Sequence, residues 1–344
     1  MAGIEMSFCD GADSVVVEFK PRVTVVIPVY NGAEFLAQAI TSVLEQTYRD
    51  IELIVVNDGS NDDGATDRIV RSFGNAIRYY TKSNGGVASA LNLAVQEMSG
   101  EYFSWLSHDD LYAKDKISRQ IDFLSSQPEH TIVYSDYSIF TGKDVGKAVP
   151  VTMPTVQAEY FRYWITAQSA LHGCSLLIPR SAFEVAGSFH EGLRTTQDYE
   201  LWFRMAGTHR FVHIPELLLF ARSHGNQDTH RFADLAFAEA GDLYLEFVKS
   251  MSPSEVPGSS PAEVGSNYLR LASGLWQRGF NDAAAYSVAL ARRYGVSFYH
   301  VLGSQLLAVC ARSIRRYARA ALSPQRRQTV RRVIGHLLPF HRGR

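Results

Sequence analysis

Residues 23–64 read VTVVIPVYNGAEFLAQAITSVLEQTYRDIELIVVNDGSNDDG. Val23 to Val29 is an apolar, largely β-branched run of the kind that forms a strand buried on both faces. From Ala33 to Thr47, Leu36, Ile40, Val43 and Leu44 recur at helical spacing and make one apolar stripe. Ile51 to Val56 is a second buried strand, and it ends in the turn-rich NDGSNDDG. Strand, helix and strand in this order require a crossover connection, so the two strands lie parallel.

The same alternation continues outward. A helix carrying Ile69, Val70 and Phe73 precedes a short strand at 77–80, and a loop at 83–86 leads into a helix from Val87 to Met98. Tyr102 to Leu106 is another strand, followed by Ser107-His108-Asp109-Asp110, a helix with Ile117, Ile121 and Leu124, and a strand at 131–135. The fold class is therefore α/β, a mostly parallel sheet sandwiched by helices.

The second half is less regular. Residues 141–170 read as loop and short helix, 172–180 (HGCSLLIPR) as a strand running into a helix that Pro179 opens, and 199–206 as helix. Residues 252–262 hold three prolines and four serines in SPSEVPGSSPA, the composition of a linker. Beyond it helices are predicted at 263–278, 281–294, 297–311 and 326–338, the first two as a single hairpin of tetratricopeptide type. The expected domains are an N-terminal extension (1–20), a main domain (21–250, with halves 21–136 and 137–250), a linker (251–262) and a C-terminal helical extension with a basic tail (263–344).

The chain has 344 residues, 46% hydrophobic and 20% charged, which suffices for a substantial core. A net charge of −1 conceals an asymmetry: from Arg292 onward there are twelve arginines and no Lys, Asp or Glu. Such a tail calls for an anionic partner. Cys9, Cys174 and Cys310 form no CxxC or Cys/His cluster, so neither a disulfide framework nor a zinc site is predicted. The N-terminus carries no charged-then-apolar leader, and the longest uncharged stretch, Tyr294 to Ala311, is interrupted by polar residues. The expectation is a cytoplasmic protein without a spanning helix.

Ligands of parallel α/β sheets bind at the carboxyl ends of the strands. Three polar clusters fall there: Tyr30-Asn31, Asp58-Gly59-Ser60 and His108-Asp109-Asp110. Neither GxGxxG nor GxxxxGK[ST] is present, so the dinucleotide and P-loop readings lose their fingerprints. Asp109 and Asp110 could bind Mg²⁺ or Mn²⁺, one directly and one through water; a solvated turn with a helix cap is the plainer reading. Asp58 could accept from a nucleobase imide and Tyr30 could stack on the base, or they are a turn former and a core tyrosine. Asn84-Gly85-Gly86 allows close approach of backbone to a ligand, or is a plain loop. Asp198 opens a helix and suits a general base or an N-cap. Arg222 and His224 could contact a diphosphate or metal, or be structural.

Taken jointly, these pieces resemble glycosyltransferase family 2, with its GT-A fold. The opening run, SNGGVASALNLAVQEMSGEYFSWLSHDDLY (83–112) and TTQDYELWFRM (195–205) match that family's order and spacing over about 23–225. The resemblance implies a nucleotide-sugar site containing Pro28, Tyr30, Asn31, Asp58, Asn84, Gly85, Asp109 and Arg222. It implies a divalent metal, Mn²⁺ or Mg²⁺, held by Asp110 directly with Asp109 and His224. It implies Asp198 as catalytic base, with Gln197 where the family often has an acid. The expected reaction is transfer with inversion from a nucleoside diphosphate sugar, UDP-sugar foremost, to a glycan or lipid-linked acceptor in bacterial surface polysaccharide or glycolipid assembly. A glycoside hydrolase would lack the base-reading crevice, and a silent sugar- or partner-binding protein would not need all three carboxylates. Processive synthases carry a QxxRW signature, absent here. Within the tail, Val330, Val333, Ile334, Leu337 and Leu338 form one stripe among arginines, a pattern suited to peripheral contact with an anionic membrane, or to packing on the body with the arginines paired to its acids, rather than to nucleic acid.

Overall fold

A computed structural model describes residues 19–142, 144–168, 171–225 and 232–321, with side chains to Ile314. Cys9 and the stripe at 330–338 lie outside the described residues. The first sheet contains β1 (Val23–Val29), β2 (Ile51–Asn57), β3 (Arg78–Thr81), β4 (Tyr102–Trp105) and β8 (Ile178–Pro179) in the order β3-β2-β1-β4-β8. Strands β1 to β4 are parallel and β8 is antiparallel at the edge.

Alternate residues of β1 and β2 serve two different cores. Val26, Ile54 and Val56 face one, where helix α3 (Val87–Glu97) packs Ala88, Leu91 and Ala94. Val23, Val25, Ile27, Leu53 and Val55 face the other, closed by α1 (Leu36–Leu44) and α4 (Lys116–Leu124). Burial on both faces is why the strands are apolar throughout rather than alternating. Helix α2 (Ala65–Ser72) packs against α1 and β2.

A second sheet has the order β5-β9-β6-β7, built from β5 (Leu111–Tyr112), β6 (Thr131–Phe140), β7 (Val149–Val151) and β9 (Arg210–Arg222). Strand β6 runs five residues beyond its predicted end at 135. The 13-residue β9 is not anticipated by the sequence reading. It pairs parallel with β6 through two register shifts near Asp136 and antiparallel with β5. Within 172–180 the predicted strand shrinks to Ile178–Pro179, preceded by a 3-10 turn at Gly173–Ser175 and followed by α6 (Arg180–Ala186), which Pro179 caps as expected.

Helices α5 (Phe161–Gln168), α7 (Gln197–Met205) and α8 (Ala233–Ser250) complete the central body. Helices α9 (Pro261–Arg278) and α10 (Asn281–Arg293) form the hairpin read from sequence, turning at Gly279, whose φ of +98° needs glycine. Helix α11 (Phe298–Ala321) packs on α9. Residues 252–260 are tied down: Glu255 pairs with Arg162 at 2.9 Å and Val256 is buried. Val264, Tyr268, Leu271 and Leu275 of α9 share the apolar cluster of the first sheet.

Candidate active site

The register Pro28↔Val56 and Val29↔Asn57 places Tyr30 and Asp58 at adjacent strand ends. The two turns are stitched together. Asp58 N–H donates to Val29 O, and Asn31 N–H donates to Ser60 Oγ, both at 2.9 Å. Asn31 sits at φ +52° and exchanges hydrogen bonds with Asn61 through its side chain. Pro28 is buried under this turn. Tyr30 is 41% exposed, so its ring is available for stacking.

Asp58 itself is buried, and its carboxylate is largely committed. Lys82 Nζ donates at 2.8 Å and Gly85 N at 3.0 Å to Oδ1, while Gly86 N donates at 2.8 Å to Oδ2. Asn84 Nδ2 donates to Asp58 O at 2.9 Å. Asp58, Asn84 and Gly85 are thus brought together, with Asp58 holding the 82–86 loop against the end of β2. A carboxylate has about four lone-pair sites, so it can still accept one further donor. Lys82 was not anticipated. Gly59 is obligatory here: its φ is +71°, and a Cβ would stand 2.6 Å from Asn84 N.

Beyond β4, His108 packs its ring on Gly32, joining the turn after β1 to the loop after β4. Pairing of Leu111 with Phe220 and Tyr112 with Leu219 carries Arg222 to Asp109 and Asp110. Arg222 N–H donates to Asp110 Oδ1 at 2.8 Å and Arg222 Nε to Asp109 O at 2.7 Å. The rest of the guanidinium reaches Gly142 O and Gln38 Oε1 between the Phe35 and Phe140 rings. Arg222 is therefore buried behind the loop and braces it. His224, next on the strand end, hydrogen-bonds Asp109 Oδ2 at 2.8 Å.

Asp110 faces two residues that the sequence reading did not single out. His172 Nε2 lies 3.7 Å from Asp110 Oδ2, and Cys174 Sγ completes a group whose candidate ligand atoms lie within 4.8 Å of one another. Burial, reinforced by the charge of Asp109, pushes the Asp110 carboxyl well above its ordinary value. Burial likewise pushes the His172 imidazole down to about 4, leaving it neutral at pH 7, the form that ligates metals. The ligand atoms of Asp110, His172 and Cys174 converge, with the Asp109–His224 pair on the neighbouring residue, a donor set that fits a divalent cation. Its positive charge would relieve the repulsion between Asp109 and Asp110.

Asp198 lies in the first turn of α7, where Tyr199 N–H donates to its Oδ1 at 2.8 Å. Helix position alone favours the ionised form, but burial outweighs it and raises the carboxyl to about 6. No charged neighbour contributes to that shift, so Gln197 in place of an acid leaves desolvation in control. The loop before α7 is pinned by Glu239 of α8, which accepts from Arg194 N, Thr195 N, Thr195 Oγ1 and Thr196 Oγ1. Glu239 was also unanticipated. The turn at 172–174 links the two carboxylate sites. His172 and Cys174 face Asp110, while a Cβ at Gly173 would lie 3.8 Å from Asp198 Oδ2 and 2.8 Å from Trp105.

Among known proteins, the family model described as glycosyl transferase family 2 matches residues 24–185. An uncharacterised glycosyltransferase of Rickettsia prowazekii is 39% identical over 243 residues, covering 69% of this chain and 75% of that protein. One of Rickettsia conorii is 39% identical over 241 residues, covering 69% of this chain. This chain spans only 40% of the length of that relative and of two more from the same genus. The mannosyltransferase PcManGT of Pyrobaculum calidifontis, solved with GDP-Man and Mn²⁺, shares the fold at 18% identity and a TM-score of 0.51, covering 94% of this chain and 89% of that one. Its GT-A architecture is the one described above. Sequence and fold agree, and the chain belongs to glycosyltransferase family 2, a family of transferase enzymes.

Proposed function

We propose that this protein transfers one sugar from a nucleoside diphosphate sugar, UDP-sugar foremost, to an acceptor hydroxyl with inversion, in a divalent-metal-dependent reaction. The observation that carries this reading is the turn at His172–Cys174, which converges on Asp110 with His172 and Cys174 and turns the Cα–Hα side of Gly173 toward Asp198, whose Oδ2 would lie 3.8 Å from a Cβ at that glycine. The carboxylate proposed to hold the metal and the carboxylate proposed to take the proton thus flank the same short turn.

In this reading Tyr30 stacks on the base, and the free acceptor site of Asp58 takes the imide N–H. Asp110, Asp109 and His224 would hold Mn²⁺ or Mg²⁺, which would supply Lewis-acid stabilisation to a departing diphosphate. His172 stands beside Asp110 as a further candidate ligand. Arg222 is a positioning residue that fixes the loop from behind. Asp198 accepts the proton of the acceptor hydroxyl while the new C–O bond forms and the bond to the diphosphate oxygen breaks. One base and one displacement on the face opposite the leaving group invert the anomeric carbon.

We further propose a glycan or lipid-linked acceptor in bacterial surface polysaccharide or glycolipid assembly, at the cytoplasmic face of the membrane. The test is turnover with labelled UDP-sugars and GDP-sugars, with Mn²⁺, with Mg²⁺ and after chelation. Metal-dependent release of UDP together with a product of inverted anomeric configuration is expected. Metal-independent hydrolysis of aryl glycosides, or absence of turnover with every donor, would overturn the reading.

A further inference from the structure

Helix α11 is apolar on more sides than it can bury. Val301, Ala308 and Ala311 are buried, and the helix packs on α9. Across the helix from this stripe, Tyr299, Leu302, Leu306, Leu307, Val309 and Ile314 are exposed, Tyr299 by 83%, Leu306 by 58% and Leu307 by 57%. Successive residues turn by about 100°, so these positions cover about half the helix circumference. An apolar face of this size on a surface helix, interrupted only by Gly303 and Ser313, marks an interaction surface. Beside it, a recess of about 700 Å³ between α9 and α11 is lined by Leu269, Tyr294 and Val296 and shares Tyr299 and Leu307 with the face.

The charges around the face select its partner. Arg292 and Arg293 end α10, Arg312 lies on α11, and the sequence places Arg315, Arg316 and Arg319 on the last turns of the same helix. No Asp or Glu follows Asp282 anywhere in the chain. A surface of anionic phosphates over an apolar layer complements both features at once. Among the described residues no helix is long and apolar enough to cross a membrane.

We propose that the exposed face of α11 is a membrane-docking surface that inserts into the interface of an anionic bilayer, with arginines of the same helix on lipid phosphates. This goes beyond the transferase reading, and neither depends on the other.

The experiment is flotation of the full-length protein with vesicles of phosphatidylcholine alone and of phosphatidylcholine with phosphatidylglycerol in equal parts, at low and high salt. Wild type is expected to float with the anionic vesicles and less so at high salt. The double variant Leu306→Glu/Leu307→Glu is expected to partition about tenfold or more weakly, since both side chains lose an apolar environment. Its circular-dichroism melt and any turnover with a soluble acceptor should be unchanged. A second variant, Tyr299→Trp, should show tryptophan emission that shifts to the blue on anionic vesicles and stays unchanged on neutral ones. Wild type that ignores anionic vesicles at low salt, equal binding by the double variant, or emission from the Tyr299→Trp variant that is indifferent to vesicles would each overturn the proposal. A wild-type dimer that the double variant splits, with vesicle binding unaffected, would assign the face to a second copy instead. Vesicle binding without turnover on any donor would sink the transferase reading and leave this one standing.

Discussion

His224 Nε2 lies 2.8 Å from Asp109 Oδ2, although 115 residues separate them. The contact is made by β9, whose antiparallel pairing with β5 delivers the strand end to the loop after β4. A buried Asp109-Asp110 pair tied to an imidazole favours a cation over two free carboxylates. Asp110→Asn is therefore expected to abolish metal-dependent transfer with an unchanged fold, because the amide oxygen can still accept from Arg222 N. His224→Ala, which removes a proposed ligand together with its hydrogen bond to Asp109, should weaken Mn²⁺ binding by at least the roughly 10- to 100-fold that loss of an orienting group alone costs. Calorimetry with Mn²⁺ and UDP measures both, and near-normal turnover by Asp110→Asn would remove the metal assignment.

Tyr30 presents an exposed ring at the end of β1 with its hydroxyl 3.3 Å from Asn61 Oδ1. Stacking of a base on an aromatic ring is worth about 1–3 kcal/mol. Tyr30→Ala should therefore raise the UDP dissociation constant roughly 5- to 150-fold, while Mn²⁺ affinity changes little. Unchanged UDP affinity would place the base elsewhere.

Gly59 occupies a left-handed conformation against the backbone of Asn84. Gly59→Ala adds a methyl group where neither φ nor space permits it, at a cost of about 1–3 kcal/mol. The 82–86 loop should move away from Asp58, so UDP binding and melting temperature should fall together. Wild-type affinity in this variant would show that the loop makes no contribution to the nucleotide site.

The strands around this site were legible because β1 and β2 are buried on both faces and so read as unbroken β-branched runs. Strand β9 was not legible. RFVHIPELLLFAR carries Pro215 and Glu216 at its middle, and β9 crosses two register shifts, so no period of two survives. Losing β9 hid the physical reason why Arg222 and His224 belong beside Asp109, and only the family resemblance placed them there. It also misplaced the guanidinium, expected on a diphosphate but packed between Phe35 and Phe140. Lys82, His172 and Glu239 act through contacts made in three dimensions, with partners 24, 62 and about 44 residues away. A lone lysine, a histidine beside glycine and a glutamate in a helix give no local signal of such partners.

Asp198 makes the sharpest distinction between function and stability. Its carboxyl is raised to about 6 by burial, against an ordinary value of about 3.9. Below about pH 4 the group is protonated in both the folded and the unfolded chain. As pH rises from about 4 to about 6 the unfolded chain releases its proton first, so stability falls through that window and stays lower above it. At pH 7 the folded protein therefore carries a charge it disfavours, at a cost of at most about 3 kcal/mol. Asp198→Asn removes that cost and keeps an acceptor for Tyr199 N–H. The variant should melt higher than wild type at pH 7, and the difference should vanish near pH 4. As the proposed base, Asp198 must be ionised to take a proton, so wild-type kcat should fall about tenfold per pH unit below about pH 6. The same substitution should slow transfer by about 100-fold or more with donor affinity unchanged. A variant that is slower but not more stable at pH 7 would mean that the fold supplies Asp198 with a partner that offsets its burial, and a variant as active as wild type would remove it from the chemistry.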